Sequence, residues 1–390
     1  MTAAAFPDAR EILARLVAFD TVSSRSNLAL IAYVEELLAS LGIASVRTPD
    51  PTGVKAALFA TIGPADRPGV ALSGHTDVVP VEGQPWTSDP FVLTARNGRL
   101  YGRGACDMKG FLAGVLAAAP RFAAAELATP IHLVFSYDEE VGCVGVEPTI
   151  RRFGVDLPKP LLCLVGEPTE MTVVDAHKSV VSYETLVTGR SAHASMPQLG
   201  GNAILAMGKL LGELERLRES FAIAGDPSGR FTPPETTITV GMVEGGVAAN
   251  IVPERCRLVW GFRGLPGFDD ALPAARLAAF AEERVLPALR LGAPDAAVTT
   301  RLRTSVPGLR PEPGSRAETL AFGLAGQNRA FAVSYGTEAG HFQAAGVPTV
   351  VCGPGSIIQA HTADEYLEDA QLDALDAFLD RLLDRCVAGL

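Results

Sequence analysis

The chain has 390 residues, 48% of them hydrophobic and 20% charged, with a net charge of −11. This is the balance of a core-forming globular protein of two or three domains. It argues against a nucleic-acid partner, which needs a basic face, and no apolar run reaches the roughly 18 residues of a membrane span.

The opening segment, MTAAAFPDAREILARLV, reads as an amphipathic helix rather than a signal peptide, because no basic stretch precedes an apolar one. A second helix, NLALIAYVEELLASLG, ends on Gly42, a residue suited to a left-handed cap. Short apolar runs then alternate with helical patterns. GVALSGHTD closes on His75 and Asp77. MKGFLAGVLAAAPRFA is a small-residue helix. IHLVFSYDEE closes on Glu139 and Glu140, and LLCLVGEP carries Glu167. Near the C-terminus VPTVVCGPGS is followed by QAHTADEY, which holds His361. Continuous apolar runs between helices predict a mostly parallel sheet buried on both faces. Ligands bind beyond the carboxyl ends of such strands, and each run has its His, Asp or Glu at or just past that end.

The middle of the chain differs. KSVVSYETLVTG alternates, a helix follows, then ETTITVGMVEGG, CRLVWGFRGLPG, a second helix and DAAVTTRLRTSV. That order, βαββαβ, is ferredoxin-like. The expected division is a catalytic domain over 1–178 and 306–390, interrupted by an insert over 179–305. The six cysteines are scattered with no CxxC pair, so free thiols in a reducing cytoplasm are expected.

Several residues suggest metal chemistry. His75 and Asp77 lie two apart and share a face on extended backbone, so Asp77 can orient the imidazole of a metal ligand. The same pair also fits a turn histidine and a helix-capping aspartate. Asp107, among glycines in GRGACDMKG, suits a bridge between two metals or a helix cap. Glu139 and Glu140 fit a solvated turn; on a strand they would point opposite ways. Together with Glu167 and His361 they make a mixed imidazole and carboxylate set suited to two zinc-like ions, with Co2+ as a substitute. No HExxH helix, phosphate loop or GxSxG elbow is present. His132 and His341 read as structural or surface residues.

The segments GHTDVVP, WTSDPF, YGRGACDMKGF, SYDEEVGCVG, GEPT, HKS, GRSAHAS, NIVPE, FRGLPG and QAHTADEY resemble the M20 family of metallopeptidases and deacylases, nearly end to end. Within it, LVAFDTVSSRSNLALI, YGTEAGHF and GPGSIIQAHTADEYL look most like the bacterial acetylornithine deacetylase group. The resemblance implies an α/β, mostly parallel-sheet zinc-hydrolase domain with an inserted lid and dimerisation domain. It implies one metal on His75, Asp107 and Glu167, and another on Asp107, Glu140 and His361. Asp77 would support His75, Glu139 would be the general base, and the Asp107–Met108 peptide would be cis. His193 would stabilise the oxyanion in a partner subunit's site. Arg263 would clamp a substrate α-carboxylate, with Asn250, Gly336 and Thr337 adding hydrogen bonds and Glu338 meeting a cationic side chain. The implied reaction is deacetylation of N2-acetyl-L-ornithine in arginine biosynthesis by a cytoplasmic homodimer. The alternatives are another N-acyl amino acid (acetylcitrulline, succinyl-diaminopimelate), a dipeptidase or carboxypeptidase, or an inactive binding relative, which would have lost a ligand or Glu139.

Overall fold

The structure, a computed structural model, describes residues 5–390. Two compact units divide it. One runs to Ala176 and resumes over Pro311–Phe331 and Thr337–Leu390; the other comprises His177–Arg310 and Ala332–Gly336. The stretch 332–336 returns to the second unit, which sequence pattern does not signal because five residues carry no periodicity.

In the first unit, strands β1 (Ser45–Pro49), β2 (Ala56–Ile62), β3 (Val70–His75), β4 (Ile131–Ser136), β5 (Leu162–Pro168) and β6 (Thr349–Gly353) stand in the order β1-β2-β4-β3-β5-β6. Two short strands, Val174–His177 and Phe331–Val333, extend this to an eight-stranded sheet. β4, β3, β5 and β6 are mutually parallel, while β1 and β2 pair antiparallel at one side. Every residue of β3, β4 and β5 is buried, as expected of central strands covered on both faces.

Helices Ala9–Val17, Leu28–Ser40, Gly110–Ala124, Arg316–Ala325 and Asp369–Ala388 contribute the core on one face. The first helix starts at a capping box in which Asp8 accepts from the backbone of Arg10 and Glu11 while Glu11 reaches back to Asp8. Its Ile12, Leu13, Leu16 and Val17 are buried. The helix Gly110–Ala124 is apolar nearly all round and is enclosed. On the opposite face Phe59, Phe153 and Phe342 form a chain of rings 6.1 Å apart.

The second unit is a four-stranded antiparallel sheet in the order Thr237–Gly245, Arg255–Arg263, Val180–Thr188, Ala297–Val306. Helices Ala203–Ala224 and Leu272–Phe280 pack on it. Strand Val180–Thr188 alternates inward and outward, as its sequence does. It lies in the middle of the sheet, so it offers no free edge. The edges belong to Thr237–Gly245 and Ala297–Val306, because the first strand of a βαββαβ unit is flanked by the third and fourth.

Candidate metal centre and active site

The parallel strands of the first unit deliver their polar residues to one end of the sheet. His75 is the last residue of β3, level with Ser136 at the end of β4. Glu167 lies near the end of β5. Asp107 sits in the irregular turn just before the helix Gly110–Ala124, where the helix dipole favours a carboxylate. Its peptide bond to Met108 is cis. His361 has a left-handed backbone, φ 61°, after β6.

His75 is fully buried. Its Nδ1 is 2.9 Å from the Asp77 carbonyl and donates to it, which turns Nε2 toward the acids. Nε2 is 3.1 Å from Asp107 Oδ1 and 3.7 Å from Glu167 Oε1. His361 Nε2 is 3.4 Å from Asp107 Oδ2 and 3.0 Å from Glu140 Oε2. Asp107 thus turns one oxygen to each imidazole. Two sets of ligand atoms lie within 4.8 Å of one another: His75, Asp107 and Glu140, and His75, Glu139 and Glu167.

The acids crowd one another. Burial and the charges of Glu140, Asp107 and Asp77 push Glu139 up to about 8. Burial and Asp107 push Glu140 up to about 7, and burial with Asp107 raises Glu167. Burial opposes ionisation of Asp107, yet hydrogen bonds from His361 and His75 hold its carboxyl low. The hydrogen bonds to Asp107 and Glu140 raise His361 to about 10. Burial works against charge on His75, but Asp107, Asp77 and Glu167 outweigh it and raise its pKa. Glu167 Oε1 is buried without a hydrogen-bond partner, a penalty of about 1–3 kcal/mol. A divalent cation would satisfy that oxygen and neutralise the surplus negative charge. The donor set, imidazole nitrogens and carboxylates without a thiolate, fits zinc or cobalt.

Asp77 does more than face His75. Its carboxylate is 3.5 Å from Nδ1, farther than its own carbonyl. It accepts from Ser23 Oγ (2.7 Å) and from the backbone N–H groups of Glu139 (3.1 Å) and Glu140 (3.3 Å), so it braces the acidic turn. That turn is a correction to the strand expected here. β4 stops at Ser136, and a left-handed Asp138 (φ 55°) reverses the chain before Glu139. Glu139 and Glu140 diverge because they sit in a turn, not because successive strand residues alternate. Glu139 Oε1 accepts from the Cys143 thiol at 3.2 Å.

Glu338 also departs from expectation. It is fully buried, with Oε1 accepting from Ser73 and Oε2 from Ser136, so neither oxygen is offered to a cationic side chain. Thr337 Oγ1 accepts from the Ala339 backbone. His132 and His341 are buried.

The other candidates lie in the second unit. A two-stranded ribbon pairs Ala192–His193 with Ile251–Val252 and brings His193 beside Asn250. His193 Nδ1 accepts from the Ser195 N–H at 3.1 Å, so Nε2 is the nitrogen left to donate. Arg263 is exposed at the end of its strand, and Gly336 belongs to the returning stretch. Ser23, Arg103, Cys143 and Glu365 lie within the same sequence motifs, yet no local spacing assigns them a role. The signal was charge: Arg103 and Glu365 are ionised residues inside motifs that assigned them nothing.

Residues 71–385 match the model of peptidase family M20/M25/M40. The chain is 36% identical over 394 residues to an acetylornithine deacetylase of Myxococcus xanthus, covering 98% of each chain. It is 34% identical over 380 residues to an acetylornithine deacetylase of Proteus mirabilis, covering 95% of this chain and 93% of that one. Its fold is similar to an M20 family metallo-carboxypeptidase of Sulfolobus solfataricus, with a TM-score of 0.77 and 18% identity over 98% of this chain and 100% of the other.

Proposed function

The chain belongs to peptidase family M20/M25/M40 and is a metal-dependent amide hydrolase; from that premise we propose that it removes the acetyl group from N2-acetyl-L-ornithine, giving L-ornithine and acetate. Two relatives that bear that activity in their names, similar over nearly their whole lengths, support the substrate. The observation that carries the chemistry is Asp107, with Oδ1 toward His75 and Oδ2 toward His361. His75, Asp107 and Glu167 would hold one divalent ion, and Asp107, Glu140 and His361 a second; zinc fits best and cobalt also suits. Bound ions supply Lewis acidity toward water and toward the amide carbonyl.

The remaining roles fall to side chains. Glu139 takes the proton of the attacking water and returns it to the departing amine nitrogen. His193 Nε2–H donates to the oxyanion from a partner subunit. Arg263 clamps the substrate α-carboxylate in bidentate fashion, and Asn250, Gly336 and Thr337 add hydrogen bonds. The second unit would serve as lid and dimerisation domain. The enzyme would act in arginine biosynthesis in the cytoplasm, a compartment that suits six buried, unpaired cysteines. Among the described residues no helix is long and apolar enough to cross a membrane.

The test is steady-state turnover of a panel of N-acyl amino acids and dipeptides, before and after chelation and with zinc or cobalt restored. Acetylornithine should lead the panel, chelation should abolish turnover, and either metal should restore it. A more than tenfold preference for peptides would overturn the substrate reading. Turnover that survives complete chelation would overturn the metal reading.

A further inference from the structure

Three segments outside the ligand set meet at one buried ion pair. Arg103 and Glu365 are each 1% exposed, and Arg103 Nη1 donates to Glu365 Oε2 at 2.7 Å. Glu365 also accepts from the backbone N–H groups of Gly104 (3.0 Å), Cys106 (2.9 Å) and Asp107 (3.0 Å). Its two oxygens therefore fix the stretch that ends on Asp107. Arg103 in turn donates to the carbonyls of Thr362 and Pro80 and to Gln84 Oε1. Gln84 Nε2 donates to the His361 carbonyl at 3.0 Å. The pair thus ties the loop carrying Asp107 to the loop carrying His361.

Stability alone does not call for this arrangement, because apolar replacement of a buried ion pair is often neutral or favourable. The consequence is geometric. His75 and Glu167 stand on central strands and need no help from the pair. Asp107 and His361 stand on irregular backbone, held by it from both sides. We infer that Arg103 and Glu365 are positioning residues that set the separation of Asp107 from His361. They therefore govern cation binding at the Asp107, Glu140 and His361 cluster more than at the His75, Asp107 and Glu167 cluster. The inference rests on the two-cation reading above.

Calorimetric titration of Zn2+ into the chelator-treated full chain tests it. The wild-type chain should take two ions, and His361→Ala marks which constant belongs to the His361 cluster. Glu365→Gln should weaken that constant by about ten- to a hundredfold, the usual effect of removing a residue behind a ligand. The other constant should move by less than a third of that factor. Gln84→Ala, which removes a partly exposed link, should weaken the same constant selectively and by a smaller factor, with the thermal midpoint of the metal-free chain unchanged. It carries the test alone if Glu365→Gln does not fold. Equal loss at both clusters, greater loss at the His75 cluster, or no change overturns the inference. Failure of the wild-type chain to take two ions overturns instead the reading on which it rests.

Discussion

Glu139 and Glu140 are neighbours in the chain, yet their surroundings assign them different work. Glu140 faces His361, while Glu139 is held by the Cys143 thiol and lies within reach of His75 and Glu167. If Glu139 is the general base, Glu139→Ala should retain both ions and lose about 10²–10⁴-fold in kcat. Metal analysis alongside the kinetics decides the matter; a variant that loses an ion together with its activity makes Glu139 a ligand. His132 poses a separate question, away from the site. It is buried, stacked on Phe59 with Nδ1 3.0 Å from Thr61 Oγ1, and burial lowers its pKa to about 4. The unfolded chain, with an ordinary value near 6.5, binds this proton first as pH falls. The stabilising contribution is therefore complete above about pH 6.5 and is lost as pH falls toward 4. Between pH 7.5 and 5 the loss is about 2 kcal/mol. Equilibrium unfolding of His132→Phe across that range should show a correspondingly shallower decline than the wild type, and parallel curves would refute the assignment.

At the scale of elements, the site depends on how closely β5 approaches the helix Gly110–Ala124. A Cβ added at Gly166 would lie 2.1 Å from the Phe111 ring, which is itself buried and has nowhere to go. Gly166→Ala should therefore destabilise the chain by about 1–3 kcal/mol through overpacking and disturb the adjoining Glu167. An unchanged denaturation midpoint would show that the two elements separate freely. Much of this level was legible in the chain. Apolar runs ending in His75, Glu139 and Glu167 marked parallel strands with their functional ends, and the alternation of VVSYETLV marked a strand covered on one face. Pairing order was less legible. Hydrophobic pattern says which face of Val180–Thr188 is inward but not which strands flank it, and its place in the sheet centre follows only from the fold. Burial of polar groups was hidden for a similar reason. Glu338 reads as a pocket acid open to a cationic side chain until Ser73 and Ser136, distant in sequence, arrive to satisfy it. Arg103 and Glu365 lie 262 residues apart, and no local spacing connects them.

At the scale of the whole molecule, the proposed homodimer has a physical motive in the second unit. Strand Thr237–Gly245 is a sheet edge, and its Val240, Met242 and Val243 are exposed, as are Ile204 and Leu205 on the helix Ala203–Ala224. An unpaired apolar edge invites association unless another chain covers it, and a two-fold axis is the commonest way to cover one. The ribbon holding His193 lies in the same unit, so a dimer formed there can present its Nε2–H to a neighbouring chain. One oxyanion hydrogen bond is worth about 2.7–4 kcal/mol, or about 10²–10³ in kcat. His193→Ala should therefore be nearly inactive as a homodimer, as should Glu139→Ala. Mixing the two with subunit exchange separates the arrangements. If His193 serves the partner, each mixed dimer has one site with native Glu139 and a native His193 donated by the other chain. Random exchange at equal concentrations makes half the dimers mixed, so activity should return to about a quarter of wild type. If His193 serves its own chain, every site keeps one defect, and a mixture with no more activity than its parents ends the trans proposal.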